Sequence, residues 1–204
     1  APVLPTNTED GMVWPEGAFR PESRDYTPRH FDSLTNELTL DFVLHGAGVA
    51  SDWARQAAPG HVLGIAGPRG SRIVGPGFDW YLLGGDETSI PSIARQIEMV
   101  GDHPAVSAFI EVTDAADEQD IPHVTWLHRG SALPGATTLL QEALRTFVIP
   151  AGQGFVSVSG EATGLTPIRR MLVQEKGLNR EYVDISGHWK RDTRNWDHHE
   201  AIPE

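Results

Sequence analysis

The chain contains no cysteine. That excludes disulfides, thiolate metal sites, cysteine-held iron–sulfur clusters and cysteine nucleophiles, and it suits a reducing cytoplasm. No apolar run approaches the roughly 20 residues needed to cross a bilayer, and no basic-then-apolar signal segment opens the chain, so stable membrane insertion is not expected. Basic side chains are in deficit. Sixteen Lys and Arg against 28 Asp and Glu leave a formal charge of −12. Such a chain repels a polyphosphate backbone, so nucleic acid is not an expected partner. There is no internal repeat, no long low-complexity linker and no GxGxxG dinucleotide fingerprint.

What is present is ordinary in bulk: 204 residues, 39% hydrophobic and 22% charged. This is enough for one medium domain or two small ones. Residues 1–23, rich in Pro, Thr, Glu and Gly, read as loop. Strands are expected at 38–44 (LTLDFVL) and 61–66, with turns at 32–36 and 45–48. Ser51 reads as the N-cap of a short helix that Pro59-Gly60 ends. Short strands and glycine turns of this kind point to part of a β-barrel.

The rhythm changes after Asp79. Strands at 80–83, 105–112, 122–127, 154–159 and 182–186 are separated by helices at 88–99, 115–119, 137–147 and 163–176. Alternation of that kind predicts a mostly parallel, three-layer α/β sheet. The stretch WYLLGGDETSIPSIAR (80–95) opens it as strand, glycine turn, acidic cap and helix.

Three groups carry chemistry. Arg24, Tyr26 and Thr27 combine a guanidinium, an aromatic ring and a hydroxyl, and strand alternation would put Arg24 and Tyr26 on one face. His45-Gly46-Ala47-Gly48 followed by Ser51 sets free backbone amides at a helix start, where a pyrophosphate is well held. Gly84-Gly85 would let backbone approach a ligand beside Thr88, and Ser159–Gly164 repeats the strand–turn–helix arrangement. The first two groups also have a plainer account, an ordinary barrel strand and a serine capping its own helix, and the third, lacking GxGxxG, is by itself a weak dinucleotide signal. In the tail, Trp196-Asp197-His198-His199-Glu200 is read as solvated rather than metal-binding, because adjacent histidines do not share a face. Asp114–Glu118 is likewise a solvated helix start.

In their order and spacing these pieces resemble the siderophore-interacting proteins, a family of flavin-dependent ferric-siderophore reductases. The matching stretches are RDYTPRHFD (24–32), LDFVLHGAGVASDWA (40–54), GPRGS (67–71), DWYLLGGDETSIPSIAR (79–95), IEVTDAADEQ (110–119), VTWLHR (124–129), SVSGEATGLTPIRRMLVQEKGLNR (157–180) and SGHWKR (186–191). The resemblance implies a ferredoxin-reductase-like fold. An antiparallel FAD-binding barrel (1–78), lacking its first strands and led by a mobile loop, would precede a Rossmann-like NAD(P)H domain (79–188) and a tail (189–204).

It further implies that Arg24, Tyr26, Thr27, Arg29, His45, Gly46, Ala50, Ser51 and Trp53 meet FAD. Asp86, Glu87, Thr88, Gly160, Glu161 and Ala162 would face NADPH or NADH. Electrons would pass through the flavin to a ferric siderophore, with a ferredoxin as an alternative partner. Because ferric siderophores are often anionic, Arg69, Lys190 and Arg191 are candidates for a basic rim, with Arg29, His30, Arg72 and Arg194 further ones. No side-chain acid, base or nucleophile is needed, so no catalytic residue is assigned. Alternatives are a free-flavin- or ferredoxin-linked reductase of the same fold and a non-catalytic nucleotide- or siderophore-binding module.

Overall fold

A computed structural model describes residues 3–9, 11–18, 21–46, 48–67, 70, 73–194, 196 and 202. The chain forms two compact units, one of residues 1–26 and 42–73, the other of residues 27–41 and 74–204.

Before Trp80, strand pairing among the described residues is confined to two antiparallel ribbons. β1 (Thr6–Thr8) pairs with β2 (Gly11–Val13), and β3 (His30–Asp32) with β4 (Glu37–Thr39). The second ribbon closes at the expected turn, where Asp32 Oδ1 accepts from the Leu34 amide at 2.8 Å and Asn36 takes φ 58°. The backbone amides of Leu34 and Thr35 hold the Asp32 carboxyl below its usual range. The expected strand over 38–44 is laddered only to Thr39, and none forms at 24–27 or 61–66. Strand preference is a preference for packing on a neighbouring strand, and none lies alongside these segments among the described residues. The expected helix forms as α1 (Val49–Gln56), but it starts at Gly48 and encloses Ser51, which is buried.

The second unit holds the sheet. Its strands are β5 (Trp80–Asp86), β6 (Val106–Val112), β7 (Val124–His128), β8 (Gly154–Glu161) and β9 (Val183–Trp189). They lie in the order β7-β6-β5-β8-β9, all parallel. β5 is central, and Trp80–Gly85 are all buried, which explains its unbroken apolar run. Period-two alternation splits this strand between two cores. Tyr81 and Leu83 pack with Ile90, Ile93, Ala94 and Ile97 of α2 (Ile90–Val100). Trp80 and Leu82 pack with Leu144 of α3 (Leu139–Thr146) and with Leu165 and Ile168 of α4 (Ala162–Arg170). Burying each such side chain contributes roughly 1.5–3 kcal/mol.

Two departures have local causes. The helix expected over 163–176 changes at Met171 into a π turn through Glu175, where the Lys176 amide reaches back five residues to Met171 O. The polar helix expected at 115–119 is one 3₁₀ turn, Ala115–Asp117, capped by Asp114. In the tail, Trp196 Nε1 donates to Gly187 O at 3.2 Å, and Ile202 is buried in the core with α3 and α4.

Candidate functional sites

In the first unit the second chemical group folds into a lock around one serine. Ser51 Oγ accepts from the His45 amide and donates to His45 O, each at 3.0 Å. Arg55 Nη2 also donates to that carbonyl. The His45 ring lies over Gly48, where a Cβ would come within 3.0 Å of it. With Ser51 turned to His45, the first turn of α1 has no side-chain cap, and although the Gly48 amide donates to Asp52 Oδ2 at 3.3 Å, the amides of Val49–Ser51 are left for an external acceptor. Asp52 opposes an anion there, but Arg55 pairs with it at 2.9 Å. Gly46 is exposed and Ala50 half-buried beside this start.

Tyr26 stands 38% exposed, with its ring 4.6 Å from Phe42. Phe42 is in turn 5.7 Å from Trp53, so two expected residues meet through one that was not. Burial of the Tyr26 hydroxyl raises its pKa, while the nearby Arg24 charge works to lower it. Arg24 itself donates to Ser23 O at 2.7 Å and pairs with Glu22 at 3.4 Å.

Thr27 and Arg29 belong to the second unit. Arg29 is spent on Glu98, at 2.8 Å, and Arg95 shares that carboxylate at 2.6 Å. Burial pushes the Glu98 carboxyl up, and the two arginines more than offset it, leaving the pKa lowered.

At the carboxyl ends of the central strands, polar side chains converge on Asp86. Its Oδ1 accepts from the Thr88 amide at 2.9 Å and from Thr88 Oγ1 at 2.5 Å. Its Oδ2 accepts from the Glu161 amide at 3.1 Å and from Trp189 Nε1 at 2.8 Å. Glu161 in turn caps α4 through Gly164 and takes the Arg191 amide at 3.1 Å. Thr88 Oγ1 also lies 3.3 Å from His188 Nδ1. One carboxylate thus ties β5, β8 and β9 together at the edge where open α/β sheets bind ligands.

The glycines here serve close packing. A Cβ on Gly85 would sit 2.4 Å from Ser89 and 2.6 Å from Ser159 O, and one on Gly84 would be 3.3 Å from Leu140. The space that Gly84-Gly85 leave is therefore filled by protein, which corrects the expectation of a ligand approach at these two residues. Gly160, at φ 142°, faces Asp86 in the same way, and Ala162 is buried against Gly187. The start of α2 continues the 3₁₀ turn Glu87–Ser89: Ser89 makes no side-chain cap, the Ile90 amide donates to Glu87 O, and Pro91 has no amide hydrogen.

Charge along this edge is concentrated and partnered. Glu87 and the buried Arg129 form a two-pronged pair, and Arg129 Nη2 also donates to Thr113 Oγ1 at 3.1 Å. Glu111, opposite Asp86 in the β5–β6 register, is 6% exposed and accepts from Thr137 Oγ1 at 2.5 Å. Burial raises its pKa. Thr137 and Arg129 work against that rise, and Asp86 and Glu87 add to it. Sequence reasoning singled out neither Glu111 nor Arg129. The signal was a lone carboxylate in the apolar strand VSAFIEV and a lone arginine directly after a strand.

Of the rim candidates, Lys190 Nζ lies 4.9 Å from the Trp196 ring centroid, a cation–π contact. Arg191 donates to Gly135 O. Arg194 and His30 are exposed. Arg69 and Arg72 lie outside the described residues, as do Asp197–Glu200 of the tail.

Comparison with known proteins now bears on both regions. Residues 1–72 match the siderophore-interacting FAD-binding domain, and residues 78–192 the siderophore-interacting protein model. An NADPH-dependent ferric-chelate reductase of Escherichia coli is 37% identical over 92% of this chain and 73% of its own length. A ferric vibriobactin reductase of Vibrio cholerae is 32% identical over 97% of this chain and 74% of its own. The crystal structure of a siderophore utilization protein from T. fusca superposes with a TM-score of 0.83 at 42% identity, over 97% of this chain and 77% of that one.

Proposed function

Because this chain belongs to the siderophore-interacting protein family, we propose that it is an FAD-dependent reductase that takes electrons from NADPH and delivers them to a ferric siderophore. One observation carries the reading: an FAD-binding-domain match and a siderophore-interacting-protein match follow one another in a single chain. The fold is read as part of an antiparallel flavin barrel followed by a Rossmann-like domain. The two antiparallel ribbons and the five-stranded parallel sheet support it.

The residues present in the first unit fit the flavin. An uncapped helix start suits its pyrophosphate, the exposed Arg24 adds a cation, and the half-open Tyr26 face on Phe42 can lie against a ring system. Held by these residues, FAD would supply the chemistry that links a two-electron hydride donor to a one-electron acceptor such as Fe(III). The chain's own work is then binding and orientation. Tyr26, stiffened by Phe42 and Trp53, offers a ring whose position is fixed from behind. The Ser51–His45 lock ties the preceding loop to the start of α1.

In the second unit Thr88 and the carboxyl edge of β5 are assigned to the pyridine nucleotide. Asp86, Glu87, Gly160, Glu161 and Ala162 form the wall that fixes their position. Iron reduced to Fe(II) binds hard oxygen donors less well and leaves the siderophore.

Stopped-flow mixing of the reduced protein with a ferric siderophore tests the reaction. Reoxidation should outpace that of free reduced flavin at the same concentration. Equal rates would contradict the assigned substrate. Tyr26→Ala and Arg24→Ala should each weaken FAD binding, by about tenfold, while Lys190→Ala leaves it nearly unchanged. Fluorescence titration of apoprotein with FAD reads this directly.

A further inference from the structure

The second unit carries a basic groove that none of the chemistry above uses. It lies between the end of α4 with its π turn (Thr166, Arg169, Arg170, Val173, Gln174) and the Arg180 turn with the start of β9 (Val183, Asp184, Ile185), and is half-open, with a volume of about 440 Å³. Three guanidiniums against one carboxylate make its lining cationic, on a chain whose formal charge is −12. Asp184 and Thr166 already have partners. None of Arg169, Arg170 and Arg180 makes an ion pair among the described residues.

The groove is remote from the nucleotide edge by topology. α4 leaves the carboxyl end of β8 at Ala162 and runs back along the sheet, so its last turn stands beside the opening residues of β9. Arg169 and Arg170 suit the negative end of the α4 dipole, which explains a basic residue there. The dipole does not account for Arg180, which belongs to a separate 3₁₀ turn and faces the same groove.

We propose that this groove is a second anion site, which takes a small organic polyanion with two or more carboxylate or phosphate groups. Guanidinium forks pair such groups two bonds at a time, and three of them around one concavity need at least two anionic groups to be matched. Val173, Val183 and Ile185 give the groove apolar walls for the ligand's carbon frame. Its volume lies within the range of small-molecule sites.

Isothermal titration of the 204-residue protein at low ionic strength tests the proposal, with citrate as the polycarboxylate probe and inorganic pyrophosphate as the phosphate probe. At least one should bind saturably with a Kd of about 0.1 mM, and the double variant R169Q/R180Q should weaken it at least about tenfold. Lysine at both positions keeps the charge but loses the fork, so R169K/R180K should fall between wild type and the glutamine variant. K190Q should leave affinity unchanged. The stronger probe identifies the anionic group preferred. No saturable heat from either probe up to about 10 mM would overturn the site, as would equal affinity in wild type and R169Q/R180Q. The readout does not involve reductase turnover, so the site and the reductase reading fail separately.

Discussion

The two units hold their candidate site residues in opposite ways. At the carboxyl edge of the parallel sheet almost every polar atom is partnered by the protein: Asp86 takes four donors, Glu161 two, and Glu87 both prongs of Arg129. In the first unit Ser51 is locked to His45, while Tyr26 stands open and Val62, Leu63 and Ile65 are exposed. The sheet edge is a prebuilt wall whose geometry exists without ligand. The first unit instead presents open donors and an open ring, so ligand contributes a larger share of its order.

Substitutions can break this contrast. The largest loss should come from Arg129→Ala, which leaves the half-buried Glu87 without its partner and costs about 3 kcal/mol in urea unfolding. A loss comparable to that of an exposed pair would show the wall is not prebuilt. Asp86→Ala comes next. Stranding several donors at the joint of β5, β8 and β9 should cost about 2–3 kcal/mol. In the first unit, Ser51→Ala removes both bonds to His45 at about 1–2 kcal/mol, read locally as faster hydrogen exchange at the His45 amide.

Glu111 sharpens the comparison through pH. Its folded pKa is raised, chiefly by burial, so the folded state holds its proton more tightly than the unfolded chain does. Stability is therefore lost as pH rises from the ordinary carboxylate value through the raised one. Glu111→Gln removes that loss. The variant should gain on wild type as pH rises from about 4 to about 7 in denaturation series, and parallel pH profiles would contradict the assignment. The smallest effect belongs to Arg29→Ala, whose partly exposed pair with Glu98 should be worth no more than about 1 kcal/mol.

How far the sequence could be read follows the same divide. The β5–α2 unit was legible because a buried parallel strand is an unbroken apolar run and because Asp86 and Pro91 punctuate the helix start. The strands over 38–44 and 61–66 were over-read, since strand preference counts only beside a partner strand. Ser51 stands out in the sequence, but its role differs from the expected one, because it ties His45 from inside the helix rather than capping it. The close packing at Gly85 was hidden because it depends on Ser159, distant in sequence. Glu111 and the groove of Arg169 and Arg180 were missed for a similar reason, since only folding reveals burial or gathers like charges from two elements.

The proposed reaction requires flavin held by the first unit. Its most direct test is titration of apoprotein with FAD, followed by NADPH under argon. One equivalent of flavin should bind per chain, giving a yellow band that NADPH bleaches, and Tyr26→Ala should weaken the binding. A colourless protein that gains no band with added FAD would contradict it.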